Sequence, residues 1–328
     1  MNFDGVEKIA AAILYEGYIL YPYRKTAIKN RQRWNFGTLY PRVYAEAQHP
    51  AEPFRLVAEC LVVAGANTTL DVKISFLQLL RQGSDTTDSE SPRQLSDPSL
   101  EWEEALERNS VHHDLRLSDL ISSPLKSVLE MDGSDLPEGA GSRSAPELKP
   151  ILTVRVEVLD DGACRLHLEL ENGSVLPSDT EARRDEALPQ SFISAHALLG
   201  VADGEFISLF DPPERYRESV AACCNVGVFP VIAGDEPDRT MMLCSPIILY
   251  DYPKIAPESE GDFFDGTEMD EMLTLRVLTL TDAEKQEMRE GDPRGRRILE
   301  RTEALTAESL LKAHGVIRGM REIRGDSL

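Results

Sequence analysis

The chain has 328 residues, of which 41% are hydrophobic and 28% charged, and its formal net charge is -22. This composition is typical of a folded globular protein and excludes a disordered one. The acidic balance argues against a general nucleic-acid binder, because binding phosphates needs lysine and arginine, and it favours a partner with a cationic surface.

The first predicted element is a short amphipathic helix over residues 4 to 15. Apolar residues recur at helical spacing from Val6 to Leu14, Asp4 can cap the start, and Gly17 follows the end. The N-terminus lacks the basic start and cleavage site of a signal peptide. No apolar run approaches the ~20 residues of a membrane span, so we expect a cytoplasmic protein.

The next stretch, residues 15–42, concentrates rings and cations, and we call it the basic-aromatic segment. Such residues supply most of the energy of protein interfaces, so we interpret the segment as a docking surface for a protein partner. The alternative is that its rings are core and its cations pair with the chain's own carboxylates. The residues that we expect to contact the partner are Tyr18, Tyr23, Arg24, Lys29, Arg31, Arg33 and Trp34.

Alternating patterns then predict an antiparallel core. Residues 54–65 and 68–82 read as a strand pair joined by a turn at Gly65 to Asn67. The Ser-rich, acidic residues 83–149 read as a low-order insertion with two weak helices, at 100–109 and 117–129.

After the insertion, residues 151–172 form the clearest hairpin, with its turn at Asp161-Gly162. Two strands around Gly200 and Asp203-Gly204, a helix over 212–225 and two extended runs over 226–253 follow, and charged helices end the chain. We predict an α+β fold: an antiparallel β-sandwich-like core with an N-terminal helix and C-terminal helices. Residues 1–82 and 150–328 would form one body, interrupted by 83–149.

A carboxylate-rich run, PESEGDFFDGTEMDEM, offers a possible divalent-metal site at Asp262, Asp265 and Glu268. The spacing does not match an EF-hand, and a turn leading into a helix cap fits the residues as well. The run also could face the cations of the basic-aromatic segment. A divalent-metal-dependent hydrolase with a dispersed carboxylate site is therefore the alternative function.

The five cysteines form no CxxC motif and lie in or beside apolar runs, which indicates reduced, buried thiols. Cys223 and Cys224 are adjacent in a predicted helix and would point about 100° apart. Together with Cys244 they could serve a metal-delivery protein, the second alternative, although the apolar context favours inert core residues.

Motifs with a known chemistry are missing from the sequence. It contains no GxSxG, HExxH or Walker A pattern, and no GxGxxG follows a strand. The His112-His113-Asp114 run lies in the predicted insertion, where we read it as incidental. The sequence therefore favours a protein that is not an enzyme and indicates no cofactor and no resident metal.

Two stretches carry a family resemblance: ILYEGYILYPYRKTAIKNRQRWNFGTLYP near the start, and SPIILYDYPKIAPESEGDFFDGTEMDEMLTLRVLTLTDAEKQEM with the PRGRRILERTE that follows it. They resemble a bacterial protein family associated with gene clusters of high-affinity uptake [NiFe] hydrogenases. The resemblance does not extend to residues 83–149. It implies an accessory or assembly role, with a hydrogenase subunit or maturation factor as the partner.

Overall fold

A computed structural model describes residues 3–19, 37–82, 105–129, 131–136, 143–176 and 183–254, with single positions 282, 285, 286, 289, 299, 300 and 303. Up to residue 254 the described helices are α1 (Asp4–Ile19), α2 (Arg42–Ala47), α3 (Leu117–Ser122), α4 (Arg184–Ala187) and α5 (Arg217–Ala221). The strands are β1 (Arg55–Leu79), β2 (Arg81–Gln82), β3 (Ala105–Arg116), β4 (Leu125–Val128), β5 (Ser134–Leu136), β6 (Arg143–Ala145), β7 (Pro150–Val158), β8 (Cys164–Asn172), β9 (Ile193–Ile207), β10 (Phe229–Ala233) and β11 (Met241–Ser245).

Eight of these strands form one antiparallel sheet organised around β1. The order is β10-β11-β9-β1-β8-β7-β4, and β3 also pairs with β1. Strand β9 runs along one edge of β1, while β8 and β3 share the other edge, β8 beside the first part and β3 beside the second. Strands β2, β6 and β5 form a separate three-stranded sheet. The predicted α+β fold with a large antiparallel sheet is confirmed.

The predicted hairpin turn at residues 65–67 is wrong, because β1 continues through it as a single strand. The Thr68 hydroxyl accepts the Gly65 N–H at 2.8 Å and donates to the Asp203 carbonyl at 2.5 Å. These bonds fill a break in the ladder with β9, which resumes at Thr69 opposite Ala202. The turn residues therefore make a bulge. The prediction of two strands around Gly200 is also wrong, because β9 pairs with β1 on both sides of this bulge and is a single strand.

The two faces of the sheet bury different clusters. On the inner face, even-numbered residues of β1 such as Ile74 and Phe76 join the largest apolar cluster, and the rings of Phe76 and Phe192 stack with centroids 4.4 Å apart. On the outer face, α1 packs against β9, β11 and β1. Its Val6 and Ala10 enter one cluster with Leu198, and its Leu14 enters another.

The described part of residues 83–149 is more ordered than its composition predicts. A helix was expected over 100–109, but residues from Ala105 onward form β3, which pairs with β1 from Leu79 back to Thr69. Pairing along a long strand outweighs the helical preference of a polar sequence. The second expected helix is confirmed only over α3, whose Leu117 and Leu120 are buried in the main cluster; β4 follows it.

Other predicted elements are confirmed. The β7–β8 hairpin places Val154 opposite Leu168 and Val156 opposite Leu166, and β10 and β11 match the two extended runs. The helix expected over 212–225 is shorter, with a 3-10 turn at Glu214–Tyr216 leading into α5. The predicted C-terminal helices lie mostly outside the described residues. None of the described helices combines the length and apolar character that crossing a membrane requires.

Candidate functional site

Most of the expected docking residues lie outside the described part of the chain. Residues 20–36, which include Tyr23, Arg24, Lys29, Arg31, Arg33 and Trp34, are not described, and Tyr18 is described only as backbone of α1. The interpretation of the basic-aromatic segment as a docking surface therefore stays a prediction. What the structure gives is the way in which the segment is attached.

Both flanks of residues 20–36 are fixed to the sheet. On one side α1 is held by its buried residues. On the other side, Leu39 pairs with Phe192 through backbone bonds of 2.8 and 3.0 Å. Gly37 has a φ of +52°, and a Cβ there would lie 2.6 Å from the Pro246 side chain, so only glycine fits. The chain thus enters and leaves residues 20–36 at fixed points.

The end of the basic-aromatic segment, from Gly37 to Arg42, lies in the described part of the chain. Tyr40 is buried, its hydroxyl accepts a bond from Arg184 Nε at 3.3 Å, and burial raises its pKa. Arg42 is exposed but pairs with Glu46 at 2.8 Å and Glu171 at 3.5 Å. At these two positions the alternative stated for the whole segment holds: the ring is core, and the cation pairs with the protein's own carboxylates.

The cysteines expected of a metal-delivery protein do not converge. Cys244 lies in the core, where burial raises its pKa to about 12. Cys223 is half-buried, and burial raises its pKa too, whereas Cys224 is exposed. Among the described residues no group of three or more His, Cys, Asp or Glu side chains could hold a metal ion. Asp262, Asp265 and Glu268 lie outside the described residues.

A buried carboxylate, Glu59, fixes the cysteine pair to the sheet. Its Oε2 accepts the Cys224 N–H at 2.7 Å, its Oε1 lies 2.8 Å from His167 Nδ1, and its own N–H donates to Asn225 at 2.8 Å. Burial alone would raise the pKa of Glu59, but the bonds from Cys224 and His167 outweigh it and lower the pKa. Because both carboxylate oxygens have partners, we call this arrangement the Glu59 clamp and assign it a structural role.

The His112-His113-Asp114 run also has a structural use. Asp71 is buried, and its carboxylate accepts the Asp114 N–H at 2.8 Å and lies 3.2 Å from His113 Nδ1. These contacts bridge the register shift between β1 and β3 next to Asp71. Burial lowers the pKa of His112, which faces inward. The run therefore fastens an irregular strand pair.

The surface feature that sequence reasoning missed is an exposed pair of rings, Phe210 and Tyr250. They are 69% and 74% exposed, and their centroids lie 5.3 Å apart at an angle of 89°. The two rings form an exposed aromatic contact on the described surface. The signal available beforehand was the position of both aromatic residues near prolines, in SLFDPP and PIILYDYP.

The loops that carry the ring pair are held firmly. Asp251, next to Tyr250, accepts the Ser208 hydroxyl at 2.5 Å and the Ile232 N–H at 2.9 Å. The Ser208 hydroxyl in turn accepts the N–H groups of Phe210 and Asp211. The two rings are therefore presented at a fixed spacing, which lowers the entropy lost when a partner binds.

Comparison with known proteins adds no family assignment: no protein-family model and no curated protein matches the chain.

Proposed function

We propose that the protein is a non-catalytic partner-binding protein that docks through the Phe210–Tyr250 ring pair and the basic-aromatic segment. The observation that carries the proposal is the ring pair itself. Aromatic side chains dominate the energetics of protein interfaces, and here the two are solvent-exposed on loops fixed by hydrogen bonds. Such preorganised apolar surface suits binding.

The polar clusters favour binding over catalysis. The carboxylates of Glu59 and Asp71 each accept a backbone N–H group. They therefore hold loops and strands in place. A catalytic base instead needs a lone pair directed at a substrate. The neighbouring histidines lie beside the same buried carboxylates: His113 beside Asp71 and His167 beside Glu59.

For the partner we propose a [NiFe] hydrogenase subunit or maturation factor. The support is the sequence resemblance of residues 13–41, 245–288 and 293–303, which include the basic-aromatic segment up to Pro41 and also Tyr250. The net charge of -22 also supports a partner with a cationic face, because this protein would attract such a face over several ångströms.

Affinity purification from the native cell at low salt, with quantitative mass spectrometry, tests the proposal. The double variant Phe210→Ser/Tyr250→Ser should lose the partner at least tenfold, as expected when two interface rings are removed. The matched control is Val43→Ser/Val175→Ser, which changes two other side chains, 72% and 79% exposed. Equal recovery with both double variants would contradict the ring pair as a docking surface.

The basic-aromatic segment is tested in the same purification. Arg31→Glu/Arg33→Glu should reduce recovery of the partner, because charge reversal turns attraction into repulsion. Arg215→Glu/Arg217→Glu reverses two exposed cations of the described surface instead and should leave recovery unchanged. If Arg215→Glu/Arg217→Glu lost the partner and Arg31→Glu/Arg33→Glu did not, the segment would be removed from the proposal.

A further inference from the structure

A pocket of about 340 Å³ lies between α1 and the outer face of the sheet. It is lined by Glu7, Lys8, Ala10, Ala11, Leu14, Lys73, Ser75, Glu107, His196 and Leu198. The alanines of the helix lie over this part of the sheet, and their small side chains leave the space open. The volume falls in the range of small-molecule sites, roughly 300–1,000 Å³, and is about ten times the ~30 Å³ that one water occupies in the liquid.

The base of the pocket carries two buried polar side chains that face each other across neighbouring strands. Ser75 on β1 pairs with His196 on β9, and the two are 5% and 1% exposed. His196 Nδ1 lies 2.9 Å from the Ser194 carbonyl, so it carries the proton. Nε2 is then a hydrogen-bond acceptor. Among the described residues neither Nε2 nor the Ser75 hydroxyl has a side-chain hydrogen-bond partner.

The two groups line the pocket, unlike His112 Nε2, Arg165 Nε and Glu186 Oε2, which are the buried side-chain atoms without a partner in the described part of the chain. Buried polar atoms are nearly always hydrogen-bonded, since leaving them without a partner is costly. Burial lowers the pKa of His196, which keeps the imidazole neutral and its lone pair available. An acceptor and a hydroxyl at the base of an open pocket can form hydrogen bonds with a ligand that enters it.

The charges around the pocket narrow the class of ligand. Two carboxylates, Glu7 and Glu107, and two ammonium groups, Lys8 and Lys73, line it, so their charges cancel. Lys73 Nζ lies 2.7 Å from Glu7 Oε1 and links the sheet to the helix. The balanced lining disfavours multiply charged anions such as phosphate esters, and it suits a molecule that carries one charge of each sign.

We propose that this pocket binds a small zwitterion of amino-acid size, whose ammonium group donates to His196 and Ser75 and whose carboxylate faces Lys73. Glu107 adds a negative charge on the ammonium side, and Leu14 and Leu198 give apolar surface for a side chain. The site is separate from the Phe210–Tyr250 ring pair, so the proposal holds or fails independently of the partner.

The experiment is a calorimetric titration of the purified protein with each of the twenty standard amino acids. We expect at least one to bind with a 1:1 stoichiometry and a dissociation constant below ~1 mM. Ala11→Leu should weaken that binding at least tenfold by filling the pocket, and leucine retains the helix preference of alanine. Ala47→Leu places the same change at an exposed position of α2, outside the pocket lining, and should bind as the unmodified protein does.

His196→Leu tests the acceptor itself. Removing a buried hydrogen bond should weaken binding about tenfold. If this variant does not fold, the Ala11→Leu comparison still decides the question. The proposal is overturned if none of the twenty amino acids binds below ~1 mM, or if binding is unchanged by Ala11→Leu.

Discussion

The Glu59 clamp and the pocket beneath α1 lie on the same sheet, and both contain a histidine on a strand that pairs with β1. In the clamp, His167 has a carboxylate oxygen 2.8 Å from Nδ1, and that carboxylate also accepts a backbone N–H. In the pocket, His196 bonds only to the Ser194 carbonyl among the described residues. The comparison separates two uses of a strand histidine: His167 stabilises the fold in the clamp, whereas we propose that His196 binds a ligand in the pocket.

The largest effect should come from breaking the clamp. Glu59→Ala leaves His167 and the Cys224 N–H without their acceptor, and losing one member of a buried pair typically costs about 3–5 kcal/mol. Urea denaturation followed by circular dichroism measures this as a lowered midpoint with an unchanged slope. A loss below ~1 kcal/mol would mean that the clamp behaves as a surface pair.

A second satisfied carboxylate sharpens the comparison. Asp251→Ala removes the acceptor of Ser208 and Ile232, and we expect a loss of about 2–3 kcal/mol. The same change should weaken partner binding, because Tyr250 loses the neighbour that fixes its loop. Ser208→Ala removes three hydrogen bonds of the same cluster and should cost about as much. An Asp251→Ala variant of unchanged stability would show that the loop is held by other contacts.

The two histidines provide the direct contrast. His167→Leu leaves Glu59 buried with one partner fewer and should destabilise the fold by about 2 kcal/mol. His196→Leu replaces a side chain that lacks one partner with an apolar one of similar size, so we expect a change below ~1 kcal/mol. Thermal unfolding of the two variants side by side measures the difference. Equal losses would contradict the distinction between clamp and pocket.

The smallest effect is a pH dependence. The pKa of Glu59 is lowered in the folded protein, so its stabilisation is complete above its usual value of 4.5 and declines as the pH falls through the lower, folded value. The stability gap between the unmodified protein and Glu59→Gln should therefore narrow below pH 4.5. Urea midpoints of both proteins at a series of acidic pH values test this. A stability gap that widens as the pH falls would mean that folding raises the pKa of Glu59.

Sequence patterns predicted the elements that local alternation controls. The β7–β8 hairpin and the start of the amphipathic helix α1 were read correctly because their partners lie nearby or their apolar spacing is regular. The predicted end of α1 was wrong, because the helix continues through Gly17 to Ile19. Strand β3 was misread because its sequence is polar, and its strand conformation depends on pairing with β1 across residues that are distant in sequence. The Gly65 turn was misread because β9 and Thr68 carry the strand through a bulge.

The site was less predictable for the same reason. Glu59 and His167 are 108 residues apart, and Ser75 meets His196 only through the register of β1 and β9. No short motif contains either pair. The Phe210–Tyr250 contact likewise joins two loops that follow different strands. These features depend on tertiary structure, whereas the basic-aromatic segment could be recognised from composition alone.

The most direct test of the central proposal is a titration of the proposed partner, a purified hydrogenase subunit or maturation factor, into the unmodified protein and into Phe210→Ser/Tyr250→Ser. We predict saturable binding to the unmodified protein and affinity at least tenfold weaker for the double variant, with both unfolding at similar temperatures because the two rings are exposed. Equal affinity for the two proteins, or no binding to either, would contradict the account.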